Sequence, residues 1–145
     1  VLTQVEADEL LAMPKQFEGG APLTALAPGN NARFELRGLE HPDERFHMDL
    51  GRGRRKVTKL KYQTRARVHV VLARLDIDGA PHTNPDGSTI GGTHIHLFRE
   101  GWDDRWAVAV DPAEFSDLSD QAQALIDFCK VCRVVDLPML QTGML

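Results

Sequence analysis

Residues 65–76 read RARVHVVLARLD and residues 92–99 read GTHIHLFR, with Asn84-Pro85-Asp86-Gly87 between them. Both stretches are rich in Val, Leu and Ile, the composition of strands. Asn at the first corner, Pro with its φ preset and Gly at the last corner make a type I turn. The pattern predicts a long-armed antiparallel hairpin of Val68–Ile77 and Gly92–Arg99, with Arg65 to Asp76 as its clearest strand.

Further strands are expected on both sides of that hairpin. Ala32–Leu39 and Arg45–Leu50 pair around His41-Pro42-Asp43, and Lys56–Tyr62 alternates loosely. Gly101–Asp104 is a tight turn from which Arg105–Val110 returns. At the start of the chain, Thr3 and Glu6 have capping-box spacing, and Pro14 stops the helix near Ala12. At the other end, Ser119 caps a helix whose Ala122, Leu125, Ile126, Cys129 and Cys132 share one stripe. Pro138 ends any further structure, and residues 19–31, rich in Gly, Pro and Asn, are a loop. The expected fold is α+β: a twisted antiparallel sheet of about six strands, with an N-terminal and a C-terminal helix packed on one side.

A chain of 145 residues is one domain, 1–145, able to bury a normal core without staples. Hydrophobic content of 42% and charged content of 26% exclude wholesale disorder. No apolar run approaches the ~20 residues that cross a bilayer, and no signal-peptide pattern opens the chain, so no membrane partner and a cytoplasmic location are expected. Cys129 and Cys132 have redox spacing, but they fall late in the helix on its apolar stripe, where buried core thiols are the better account.

The net charge of −4 conceals an asymmetry. Nine basic residues and no acid lie between Arg52 and Arg74, against eight basic and 21 acidic residues elsewhere. A local positive field of this kind attracts phosphate even on an acidic protein. Arg52, Arg54, Arg55, Lys56, Lys59, Lys61, Arg65 and Arg67 are therefore the candidate nucleic-acid contacts, with Tyr62 as a stacking or proton-carrying residue. Against them stands the bland reading of a solvated charged face. From Glu100 to Asp127 there are eight acids and one arginine, an end that repels nucleic acid and could hold a basic protein partner or another copy of the chain.

The strand period of two puts His94, His96, Phe98 and Glu100 on one side and Ile95 and Leu97 on the other. Two imidazoles roughly 6–7 Å apart could share a metal or a phosphate. On the partner strand Arg65, Arg67 and His69 share a face. Imidazoles beside guanidiniums are the equipment of metal-independent RNA cleavage. One group takes the 2′-OH proton, another protonates the leaving oxygen, and cations hold the phosphate charge. His94 and His96, with His69 or His82 as second proton carrier and Glu100 nearby, are the candidate catalytic residues. This scheme needs no cofactor. Asp76-Ile77-Asp78-Gly79 lacks the later acidic ligands of a calcium loop, and Arg52-Gly53-Arg54-Arg55 lacks phosphate-loop spacing.

His94-x-His96-x-x-x-Glu100 resembles the first metal motif of the cupins, in which two histidines and a glutamate bind iron, manganese or zinc. The cupins' later histidine has no counterpart after His96, and His82 would have to substitute from the hairpin loop. A broader resemblance runs through Leu2-Thr3-Gln4, Glu6-Ala7-Asp8, Leu10-Leu11, Met13-Pro14-Lys15, Tyr62-Gln63, Arg65, Arg74-Leu75-Asp76, Pro81-His82-Thr83-Asn84-Pro85-Asp86-Gly87, His94-Ile95-His96 and Arg99-Glu100-Gly101. In these the chain resembles a family of small proteins of unknown function from bacteria and their mobile elements. That resemblance implies a prokaryotic, prophage-type setting, where toxin nucleases paired with antitoxins and inhibitors of host defence are common. The leading expectation is an RNA-binding, toxin-like endoribonuclease. The alternatives are a non-enzymatic inhibitor that engages a host defence protein through its acidic surface, and a cupin-like metal protein.

Overall fold

The computed structural model describes residues 1–20 and 25–135. Its first element starts as the sequence predicts. Thr3 Oγ1 accepts from the Glu6 amide, and the Glu6 carboxylate accepts from the Thr3 amide, which opens α1 (Gln4–Ala12). Strand β1 (Lys15–Phe17) and a short 3-10 turn (Glu18–Gly20) follow within and before the stretch expected to be loop; residues 21–24 of that loop, and Pro138, lie outside the described residues. Then come β2 (Asn31–Gly38), β3 (Arg45–Arg52), β4 (Leu60–Ala66), β5 (Val70–Ile77), β6 (His82–Thr83), β7 (Thr89–Ile90), β8 (His94–Leu97), β9 (Ala107–Val108) and α2 (Gln121–Val131). The fold is α+β. Seven strands form one antiparallel sheet in the order β1-β2-β3-β4-β5-β8-β9, and β6-β7 is a separate small hairpin. The seven-strand order is open, with β1 and β9 at its two edges.

The strand expected over Arg65–Asp76 is two strands. Arg67 and Val68 adopt positive φ (49° and 69°), and the chain reverses there from β4 into β5. Neither residue is a turn former, so the reversal is invisible to composition, and Val at such a φ is strained. The Lys56–Tyr62 expectation also shifts: Gly53–Lys59 closes a loop through Gly53 N–H to Lys59 O (2.8 Å), and β4 begins only at Leu60. At α2 the cap is Asp120, which accepts from the Ala122 and Gln123 amides, while Ser119 bonds Asp117 instead. The anticipated hairpin is present as the β5/β8 pair, with β6-β7 and the Asn84–Gly87 turn at its tip.

Alternation along the strands separates the two faces of the sheet. Leu36, Phe46, Met48, Tyr62, Leu75 and Ile95 face inward and join Leu10 of α1 with Leu125 and Phe128 of α2 in one core. Cys129 and Cys132 are buried there as free thiols, and burial raises both pKa values, that of Cys132 to about 11. The outward residues lie in register rows. Arg33, Asp49, Gln63, Arg74 and His96 stand opposite one another across five strands, and Asn31, Gly51, Lys61, Asp76 and His94 form the adjoining row. Asp49 gathers Arg33 (2.9 Å), Gln63 (2.8 Å) and Arg65 (2.7 Å) across β2, β3 and β4. Partial burial pushes the Asp49 pKa upward, but these donors outweigh it and bring it down to about 2.

Lys15 is the one lysine fully buried among the described residues. Its Nζ donates to Leu11 O (2.9 Å), Met13 O (2.9 Å) and Cys132 O (2.8 Å), so a positive charge closes the carboxyl ends of both helices. Its backbone joins β1 to the segment after α2 through Lys15 N–H to Arg133 O and Val135 N–H to Lys15 O. Burial lowers its pKa to about 8.

Replacing Lys15 by Met keeps the volume but takes the donor from three carbonyls, one buried and two partly buried. Urea unfolding of Lys15→Met at pH 7 is expected to show a loss of roughly 3 kcal/mol. An unchanged midpoint contradicts the assigned role. For Asp49, the folded pKa lies below the unfolded value, so its contribution is present above about pH 4 and is lost as pH falls through about 2. Allowing for solvent screening, that contribution is about 1–2 kcal/mol. Between pH 5 and pH 2 the Asp49→Asn variant should therefore lose less stability than the parent in acid titrations followed by circular dichroism.

Candidate functional site

The chemistry collects where β5 and β8 lie side by side. Register sets Asp76 opposite His94 and Arg74 opposite His96, all on the outward face. Each imidazole is fixed through its Nδ1. His94 Nδ1 lies 2.6 Å from Gly91 O and His96 Nδ1 2.8 Å from Asp104 O. A carbonyl only accepts, so both Nδ1 atoms carry the proton, and the neutral ring then bears its lone pair on Nε2. Both Nε2 atoms reach the same oxygen, Asp76 Oδ2, at 3.2 Å. The three candidate ligand atoms of Asp76, His94 and His96 lie within 4.8 Å of one another. His94 and His96 are 2% and 1% exposed, so this convergence stands at the floor of the face.

Arg74 is the positive group already present. Its NH2 is 3.0 Å from His96 Nε2, its NH1 is 2.9 Å from Asp104 Oδ2, and its Nε lies 3.4 Å from Asp76 Oδ2 without an aligned hydrogen bond. Burial opposes ionisation of Asp76, but the adjacent Arg74 charge outweighs it and holds the carboxyl below the usual range.

The β6-β7 hairpin folds over this floor. Asn84 clamps it to β9, donating to Ala107 O (3.0 Å) and accepting from the Ala107 amide (2.8 Å). At the base of the hairpin Gly79 N–H bonds Gly92 O (2.9 Å), and a Cβ on Gly92 would lie 2.1 Å from Gly79 O, so only glycine fits there. The hairpin brings in His82, whose ring centroid is 4.6 Å from that of His96 and 5.7 Å from that of His94. His82 Nε2 donates to Arg105 O (2.8 Å), so its lone pair is on Nδ1. The three rings and Asp76 line a pocket of about 300 Å³, whose wall also carries Lys59 and Lys61. A larger, shallower groove of about 730 Å³ lies beside it on the same face, lined by Lys61, Gln63, Arg65, Arg33 and Asp49. Lys61 borders both cavities; the titratable cluster belongs to the smaller one.

The structure therefore brings His82, His94 and His96 together and separates them from other expected partners. His69 sits in the β4–β5 turn, at the end of β5 remote from Asp76, and has no part in the pocket. Glu100 lies beyond the end of β8, where its carboxylate accepts from the Gln4 amide (2.7 Å) at the start of α1. Phe98 has likewise left the strand pattern and is buried in the core. The cupin-type glutamate is thus absent from the site, and the open sheet is not a closed barrel. Tyr62 cannot stack on a base: it points inward, 1% exposed, with its hydroxyl 3.3 Å from Gln121 O.

The basic run also divides. Arg67 pairs with Glu44 and Glu6, Lys56 with Asp78, and Arg52 donates to Val57 O and Leu26 O. Arg65 is tied to Asp49 in the groove, Arg54 and Arg55 are exposed on the β3–β4 loop, and Lys59 and Lys61 border the pocket. On the acidic side, Asp111, Asp117 and Asp120 bond neighbouring amides, Asp127 holds Ser116 and Gln123, and Asp104 holds Arg74. That segment is chiefly occupied in its own turns. Sequence reasoning missed Asp76 as a site residue, although Arg74 and Asp76 alternate with the inward Leu75 and Ile77, which marks them as outward neighbours of the histidine strand.

Among the described residues no helix is long and apolar enough to cross a membrane. No curated protein and no solved structure is significantly similar to the chain. Residues 2–134 match the model of a family of unknown function designated DUF6978, and the chain belongs to that family.

Proposed function

We propose that the chain binds RNA along the polar face of its sheet and cleaves a phosphodiester at the pocket of His82, His94 and His96. The observation that carries this reading is the position of Lys59 and Lys61. They have no ion-pair partner among the described residues and border the same pocket as three imidazoles and a carboxylate. Ammonium groups hold phosphate as point charges, and the groove beyond Lys61 offers Arg65 and Arg33 to the next phosphates along a strand. Such contacts position a backbone without reading its sequence.

The roles differ from a simple pair of imidazoles. An acid and a base that serve an in-line displacement stand on opposite sides of phosphorus. His94 and His96 instead aim at one point, so they act together on the charge at the pocket floor. His82 is the least buried of the three rings and in this scheme takes the 2′-OH proton, while solvent water protonates the leaving 5′-oxygen. Arg74, beside them, stabilises charge on the phosphate oxygens. A toxin-like endoribonuclease of a toxin–antitoxin or mobile-element system fits this equipment. An inhibitor acting through acidic residues fits less well, because those carboxylates are engaged in local turns.

The Lys59→Ala/Lys61→Ala double variant should weaken binding of a single-stranded oligoribonucleotide and flatten its logarithmic salt dependence by about one to two. His82→Ala should keep that binding and lose cleavage by roughly 100-fold or more. Wild-type protein that neither retains nor cuts the oligonucleotide contradicts the reading, and so does a double variant with an unchanged salt slope.

A further inference from the structure

We infer that Asp76, His94 and His96 form a binding site for one divalent transition-metal ion of the zinc type. The donor set is two imidazole nitrogens and one carboxylate oxygen, the borderline mixture that such ions favour, with a further position left open as in hydrolytic zinc sites. Orientation supports the donor set. Both Nδ1 atoms are bound to main-chain carbonyls, the outer contact that fixes the tautomer and turns Nε2 toward a metal.

Spacing supports it too. Ligands of a tetrahedral ion with bonds of about 2.0–2.1 Å stand roughly 3.3 Å apart. Asp76 Oδ2 lies 3.2 Å from each Nε2, and all three atoms lie within 4.8 Å of one another, so a bound ion would draw the two rings together. Two lone pairs and a carboxylate oxygen directed at one region are mutually repulsive unless a cation stands among them. Burial at 2% and 1% keeps competing water from the two rings. Asp76, His94 and His96 line the same pocket as Lys59, Lys61 and His82.

Arg74 is the competitor. Its NH2 lies 3.0 Å from His96 Nε2, where a bound ion would be, so the metal displaces the guanidinium from the imidazole. Asp104 retains it, through the 2.9 Å contact with NH1, at the edge of the site. The inference thus deepens the proposed use of this pocket without depending on RNA.

The test is zinc binding to the intact chain, purified through a chelator and measured calorimetrically without RNA. One zinc per chain is expected. Asp76→Asn, which keeps the side-chain shape, and His96→Ala should each weaken binding by more than the 10–100-fold that outer-shell partners are worth. Arg74→Gln should tighten it about tenfold by removing a nearby positive charge. His47→Ala, remote from the pocket, should change nothing. Absence of stoichiometric binding overturns the inference, as does binding retained by Asp76→Asn and His96→Ala or weakened by Arg74→Gln. Thermal melts show whether each variant is folded, and Asp76→Asn and Arg74→Gln decide the matter if His96→Ala is not. RNA retention measured separately in EDTA keeps a failure of this inference distinct from a failure of the RNA reading.

Discussion

The Nδ1 atoms of His94 and His96 each meet a main-chain carbonyl, and this pair of contacts governs the rest of the site. With those protons fixed, the only free nitrogens of the two rings are the Nε2 atoms, and both arrive at Asp76 Oδ2. Without the carbonyls the rings could turn and satisfy themselves elsewhere. With them, a charged residue, a proton or a metal must supply the positive partner. Arg74 is the part of that partnership built into the fold.

The carbonyls are there because of how the chain returns from β5 to β8. Gly91 O lies at the end of the β6-β7 hairpin, and Asp104 O follows the Gly101 turn, so two separate loops each fix one ring. The close approach of Gly79 and Gly92 closes the hairpin base, and the reciprocal bonds of Asn84 with Ala107 hold its tip to β9. These constraints carry His82 to within 4.6 Å of the His96 ring centre. The same hairpin makes the histidines a pocket floor rather than an open patch.

Much of this was legible in the chain itself. Alternation of Thr93-His94-Ile95-His96-Leu97 gives the outward pair, Asn84–Gly87 gives the turn, and the Thr3–Glu6 box gives the first helix. The α+β class follows from the order of those elements. What was not legible has physical causes. The reversal at Arg67-Val68 uses residues with no turn preference, held at positive φ by the pairing on either side, so one strand is expected where two exist and His69, expected on a strand face, lies in the turn. Glu100 keeps the motif spacing, but β8 ends at Leu97, and its carboxylate is drawn to the open amide at the start of α1. Asp76 belongs to the site through cross-strand register, which spacing along one strand does not reveal. Charge clustering singled out the basic run, but it could not say that Arg52, Lys56 and Arg67 are tied to neighbours while Lys59 and Lys61 border a polar pocket.

The supports outside the site serve the same geometry at longer range. Lys15 ties the ends of both helices to the β1 edge, and Asp49 holds three strands of the polar face in one row with Arg74 and His96. The convergence of the two Nε2 atoms is the claim on which the account stands, and the histidine side-chain nitrogens report it directly. In long-range proton–nitrogen correlation spectra recorded as one equivalent of zinc is added, the account predicts that His94 and His96 stay protonated on Nδ1 while both Nε2 signals shift together. Protonation on Nε2 in the zinc-containing sample, or shifts confined to His41, His47 and His69, would contradict it.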